Sequence, residues 1–140
     1  MQVLFYIGKG KLFDRLIRWW TNSRYSHCEI VINGMAFSAD AWTNQVRAVS
    51  ASSFNPQNWE RVTVDGDKEA SLTFVTGQLG KRYDWLGILG FLLPGRIDDP
   101  KRWYCSEICA AALGIGKRPI SPQQLYEILQ EKIKQGGATC

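Results

Sequence analysis

The sequence has little that would take it out of the ordinary globular class. Its longest apolar run, Trp85 to Pro94, is ten residues long and carries two glycines. A membrane-spanning helix needs about 20 apolar residues, so no transmembrane segment is expected. The opening MQVLFYIGKG lacks a basic start, a long apolar stretch and a small-residue cleavage site, so no signal peptide is expected. Charge is neither scarce nor clustered: 17 Lys and Arg against 13 Asp and Glu give a net +4. That balance permits weak attraction to phosphate or anionic lipid without demanding it. Six Trp, five Tyr and six Phe beside basic residues could form a stacking platform. Most of them fall on faces expected to be buried, and no nucleic-acid motif accompanies them, so no nucleic-acid partner is expected.

Histidine is almost absent, His27 being the only one. The four cysteines, Cys28, Cys105, Cys109 and Cys140, include a Cys-x3-Cys spacing rather than the Cys-x2-Cys usual in zinc sites. One set, Cys28, Cys105, Cys109 and His27, could in principle hold zinc; the reading is for no metal and no cofactor. Without a secretory signal, reduced thiols are expected rather than disulfides. No repeat, linker or low-complexity stretch interrupts the 140 residues, which fit one α+β domain spanning 1–140.

The chain reads in order as follows. Val3 to Ile7 is a buried strand closed by Gly8 and Gly10. Residues 11–20 have helical period, with Leu12, Phe13, Leu16, Ile17, Trp19 and Trp20 on one arc. A core-packed amphipathic helix is expected there in preference to a membrane-surface one. Residues 25–32 and 35–40 form a hairpin about Asn33-Gly34, which supplies the positive φ angles of a type I′ turn. Gln45 to Val49 and Glu60 to Val64 are further strands. Asp65 or Asp67 caps a helix from Lys68 to about Leu79. Tyr83 to Leu93 is a helix or a set of tight helical turns. Trp103 to Leu113 is an Ala-rich helix, and Ser121-Pro122 opens a last helix to about Lys134.

Chemistry concentrates at two places. Cys105, in KRWYCSEICAAALG, sits where a polar loop turns into a helix. A thiol at a helix N-terminus feels the positive end of the peptide dipoles, which favours the nucleophilic thiolate. His27 lies early in a strand, where alternation puts it on one face with Glu29 and Val31, and Cys28, Ile30 and Ile32 on the other. A lone strand histidine is ordinarily structural; beside a thiol it becomes a base. Cys28 and Cys109 are read as core thiols.

The pieces YSHCEIVI, FSADAWTNQVR, GKRYDWLGILG, WYCSEICAAAL and ISPQQLYEIL occur in an order that resembles the circularly permuted branch of the papain-like NlpC superfamily. Its YiiX-like members, some phage-encoded, are most similar. The resemblance implies a permuted papain-like fold: a small antiparallel sheet carrying the histidine, packed against a helix whose N-terminus carries the nucleophile. It makes Cys105 the nucleophile and His27 the general base. Permutation accounts for His preceding Cys, since such sites are recognised by geometry and not by chain order. The residue that orients His27 is where this chain departs from its relatives, which often carry Glu or His. The rough alignment favours Ser38. Asp40 is the better partner electrostatically, because a carboxylate stabilises imidazolium. Glu29 shares the His27 face and is a third option. Tyr83 matches a tyrosine placed beside the nucleophile, where it would help bind an oxyanion; a core tyrosine is the alternative.

The resemblance implies a cysteine hydrolase that cleaves amide bonds, with peptidoglycan stem peptides the first substrate class. An acyltransferase or thioesterase on a lipid-like substrate is a second reading, LGILGFLLPG then lining an acyl channel. A non-enzymatic structural module of a phage particle is a third. Expected partners are a peptide or acyl substrate and a virion or tail; the expected location is the cytoplasm or the virion.

Overall fold

The computed structural model describes residues 1–8, 15, 18, 19, 22–84 and 101–136. Five strands, β1 (Gln2–Tyr6), β2 (Cys28–Ile32), β3 (Met35–Asp40), β4 (Gln45–Ser50) and β5 (Trp59–Thr63), form one sheet of order β4-β3-β2-β1-β5. Every neighbouring pair is antiparallel. Three helices follow among the described residues: α1 (Lys68–Thr76), α2 (Cys105–Ala112) and α3 (Pro122–Gly136). The chain is therefore α+β.

Alternation explains which face is covered. Val3 and Phe5, Cys28, Ile30 and Ile32, Phe37 and Ala39, Val46 and Val62 are all buried. They pair across the sheet as Val3↔Ile30, Phe5↔Cys28, Ile30↔Phe37, Ala39↔Val46 and Val3↔Val62. Cross-strand partners point to the same side, so these side chains make one apolar face. Helix α2 packs against β2 and β3, with α1 and α3 beside it. Ile108 and Cys109 are fully buried. Two hydroxyls fasten the helical layer: Ser71 Oγ donates to the Ala112 carbonyl at 2.7 Å, and Ser106 Oγ to the Ile120 carbonyl at 2.6 Å. The edge strand β5 is tied to α3 through Glu60, whose carboxylate accepts from Tyr25 Oη at 2.9 Å and Tyr126 Oη at 2.7 Å.

The Asn33-Gly34 turn has positive φ at both positions, 51° and 77°. A Cβ on Gly34 would meet nothing within 4 Å, so only backbone strain opposes a side chain there. Gly34→Ala should cost about 1 kcal/mol, read as a lower urea midpoint at unchanged slope.

Boundaries moved where tertiary contacts compete with propensity. Helix α2 starts at Cys105, not Trp103. Trp103 is held extended in a parallel bridge to Tyr83, and Tyr104 stays in the β region with φ −118° and ψ 170°. Strand β2 starts at Cys28, so His27 immediately precedes it. Asp67, not Asp65, caps α1: its Oδ1 accepts from Ala70 N at 3.0 Å. Ser121 caps α3 reciprocally, its Oγ accepting from Gln124 N while Gln124 Oε1 accepts from Ser121 N. The helix expected over 11–20 and most of that expected over 83–93 lie outside the described residues. Of the apolar arc expected to pack, Trp19 is described, and it is 75% exposed. No helix among the described residues is long and apolar enough to cross a membrane.

Candidate active site

Three crossings bring the site residues to one end of the sheet. Residues 80–83 run along the outer edge of β4: Val46 N donates to the Lys81 carbonyl at 2.8 Å and Tyr83 N to that of Asn44 at 3.2 Å. Tyr83 then bridges Trp103, which places Tyr104 and the first turn of α2 against the start of β2. Trp103 is locked there by its indole N–H, which donates to Gln78 Oε1 at 3.2 Å, and by the Lys117 ammonium 4.7 Å above its ring. On the other side, Tyr6 N donates to the His27 carbonyl at 2.9 Å, fixing the histidine backbone to the end of β1.

Cys105, at the first position of α2, and His27 meet at this corner. Cys105 is held well below the ordinary thiol range. The largest cause is a hydrogen bond from the Cys28 side chain. Burial opposes it, and the charge and hydrogen bond of His27 reinforce it. His27 moves the opposite way, well above 6.5. Burial alone would lower it, but the Cys105 thiolate and then Glu29 raise it by charge and hydrogen bonding. Opposite shifts on neighbouring acid and base describe a thiolate–imidazolium pair. Cys28, by contrast, is pushed up by burial and by its bonds to Cys105 and Cys109. It is the neutral donor beside the thiolate.

The imidazole is oriented by Glu29. His27 Nε2 lies 3.1 Å from Glu29 Oε1, and the Glu29 side chain is only 1% exposed. Burial pushes Glu29 up, yet its bonds to His27 and Arg47 bring it below its usual value, so the buried carboxylate is ionised. Arg47 Nη1 and Nη2 reach Glu29 Oε2 and Oε1 at 3.0 and 2.6 Å, and Arg47 Nε reaches Asp40 Oδ2 at 3.0 Å.

This corrects the preference for Asp40 and Ser38. Asp40 engages Arg47 and accepts from Trp42 N at 3.0 Å; it reaches His27 through charge only, at longer range. Ser38 Oγ donates to the Cys28 carbonyl at 2.8 Å and also bonds the Ala39 carbonyl at 3.3 Å. It braces the strand behind the thiol and does not touch the ring. Both residues share the expected face, but strand parity does not fix reach: Glu29 Oε1 lies 3.1 Å from His27 Nε2, whereas the Asp40 carboxylate is turned to Arg47 and to Trp42 N. Tyr83 is buried and lies within the field of Cys105; burial first, and then that thiolate, raise its hydroxyl. Glu107 is buried with Lys117 Nζ 3.8 Å from its carboxylate.

No protein-family model matches this chain, and no curated protein matches it.

Two contributors were not singled out from the sequence. Arg47 stands opposite Ser38 in the β3–β4 pairing; a strand cation facing two acidic residues was the available signal. Alternation puts Cys28 on the face opposite His27, which favours a core thiol or, with Cys105, Cys109 and His27, a zinc ligand, and gives no sign of a donor to Cys105. At the end of the sheet, where α2 begins, both faces become accessible to one helix terminus. An aromatic wall flanks the ring: Trp59 is 6.1 Å from His27, stacks on Phe54 at 4.7 Å and meets Tyr6 at 5.1 Å. Among the described residues, no group of His, Cys, Asp or Glu is arranged to hold a metal ion.

Proposed function

We propose that this chain is a cysteine hydrolase of the permuted papain-like, YiiX-like kind, cleaving amide bonds. The observation that carries the reading is the Cys105–His27–Glu29 relay, with a low-pKa thiol at a helix start, a raised imidazole beside it and a buried carboxylate on Nε2.

In this mechanism the Cys105 thiolate attacks the substrate carbonyl carbon. The oxyanion forms beside the first turn of α2, where backbone N–H groups have no acceptor within the helix. Tyr83 is assigned to support it. The tetrahedral intermediate collapses to a thioester as His27 delivers its proton to the leaving amine. His27 then accepts a proton from the water that attacks the thioester, and the acid product leaves with the thiolate restored. Glu29 stabilises the imidazole in the steps where it is charged and keeps it aimed in the others.

Peptidoglycan stem peptides are the proposed substrate class, and a virion or tail the proposed context. An acyl ester is the competing substrate, and product analysis on the two separates them.

Mass-spectrometric mapping of alkylation near neutral pH tests the site itself. Cys105 should react first, by about tenfold or more over Cys28 and Cys109. Its rate should reach a plateau at a lower pH than that of an ordinary thiol, since the Cys105 thiol is held well below the ordinary range. If Cys28 or Cys109 reacts first, the nucleophile assignment fails.

A further inference from the structure

Arg47 commits its whole guanidinium to two carboxylates of this corner. Nη1 and Nη2 hold Glu29, and Nε holds Asp40. Oε1 of Glu29 is contested: Arg47 Nη2 approaches it to 2.6 Å and His27 Nε2 to 3.1 Å. The cation has the shorter bond to the oxygen that serves the imidazole. The arginine side chain is 18% exposed, against 1% for the glutamate, so the pair is largely out of water.

We propose that Arg47 is the positioning residue of this site, fixing the pose of Glu29 and taking the larger share of the oxygen that Glu29 offers to His27. A guanidinium fork matches a carboxylate at two points and stays charged, which an ammonium does not reproduce. With both oxygens engaged, the Glu29 carboxylate keeps Oε1 aimed at Nε2. With Oε1 shared, Glu29 grips the imidazole proton less tightly, and His27 can still release it to a leaving group. The groups facing the ring are Glu29 from β2, Cys105 from α2, Asp40 from β3 through charge, and the Trp59 ring from β5. Arg47 acts from β4, behind Glu29.

The assignment rests on the reading of Cys105 and His27 as a catalytic pair, and the test lets the two fail separately. His27 is the only histidine, so its imidazole titration by NMR is unambiguous. It is followed in Cys105→Ser protein, where no thiolate contributes. Arg47→Met should raise the His27 titration by about one pH unit, a tenfold gain in proton affinity. Arg47→Lys, which keeps the charge and loses the fork, should raise it by less. In a Glu29→Gln background the Arg47→Met shift should fall below about a third of a unit, because the route through the carboxylate is gone.

No shift, or a downward one, in folded protein overturns the proposal. An equal shift in both backgrounds also overturns it, since that is direct charge repulsion and not action through Glu29. Arg47→Lys carries the same decision where Arg47→Met does not fold. An ordinary thiol alkylation profile of Cys105 in the unaltered protein would overturn the catalytic reading and the positioning role with it; a null His27 shift overturns the positioning role alone.

Discussion

Cys105→Ser protein should keep its fold and lose turnover by a factor on the order of 10⁶, the scale seen when a serine hydrolase loses its nucleophile. Serine is nearly isosteric with cysteine, so it fits the buried position at the start of α2 without a cavity or a clash, and Oγ can still accept from Cys28. The melting temperature should move by less than about 5 °C. The chemical loss is large because a hydroxyl beside His27 does not ionise near neutrality, whereas the thiol here is held well below its ordinary range by Cys28 and His27. The same substitution should lower the His27 titration, since the thiolate is the leading influence holding the imidazole up. Turnover of a stem peptide, thermal unfolding and the His27 NMR titration check the three statements. A melting temperature many degrees lower would make Cys105 a structural cysteine.

Glu29→Gln should have the second largest effect. The glutamine keeps an acceptor for Arg47 but removes the charge that stabilises imidazolium. Turnover should fall about 10²- to 10³-fold, less than the roughly 10⁴ of a serine triad that loses its carboxylate, because the thiolate remains to support His27. Arg47 is left with half its charge compensation in a nearly dry setting, which should cost about 3 kcal/mol of stability. The pH dependence has a definite sign. Glu29 is lower in the folded chain than its ordinary 4.5, so its stabilisation is complete above that value and lost as pH falls through the depressed one. The unaltered protein should therefore lose stability on acidification below about pH 4.5, and the Gln variant should show a shallower loss there. Urea unfolding at several acidic pH values measures this.

Much of the sheet is legible because short apolar runs such as Val3 to Ile7 are bounded by turn residues and Asn33-Gly34 leaves one choice of turn; burial itself is continuous over Val3–Phe5 and Ala36–Ala39. The helix containing Cys105 was legible from its alanines. Its first residue was not, because Trp103 and Tyr104 have acceptable helix propensity and only the bridge to Tyr83 holds them extended. The Cys105–His27 corner was reachable from residue types and order. Its completion was not, because alternation assigns faces and says nothing of which carboxylate comes within hydrogen-bond distance of the ring. The β3–β4 pairing puts Arg47 within reach of both carboxylates, and of the two it is Glu29 that also lies 3.1 Å from the imidazole. The role of Cys28 was hidden for a related reason, since the sequence does not show that the first residue of α2 sits across the end of β2, within reach of both Cys28 and His27.

The two halves of this corner come from different layers and from distant parts of the chain. His27 enters with the hairpin, while Cys105 waits for the segment that follows α1 to return along β4. During synthesis the thiol is therefore an ordinary one for as long as α2 is undocked, with no imidazole or Cys28 beside it. The influences that lower the Cys105 thiol come from residues of the sheet, Cys28 and His27, and so act only where α2 is docked on it. A partly made or unfolded chain carries the right residues and no activated sulfur, so the reactivity of Cys105 doubles as a gauge of completed folding.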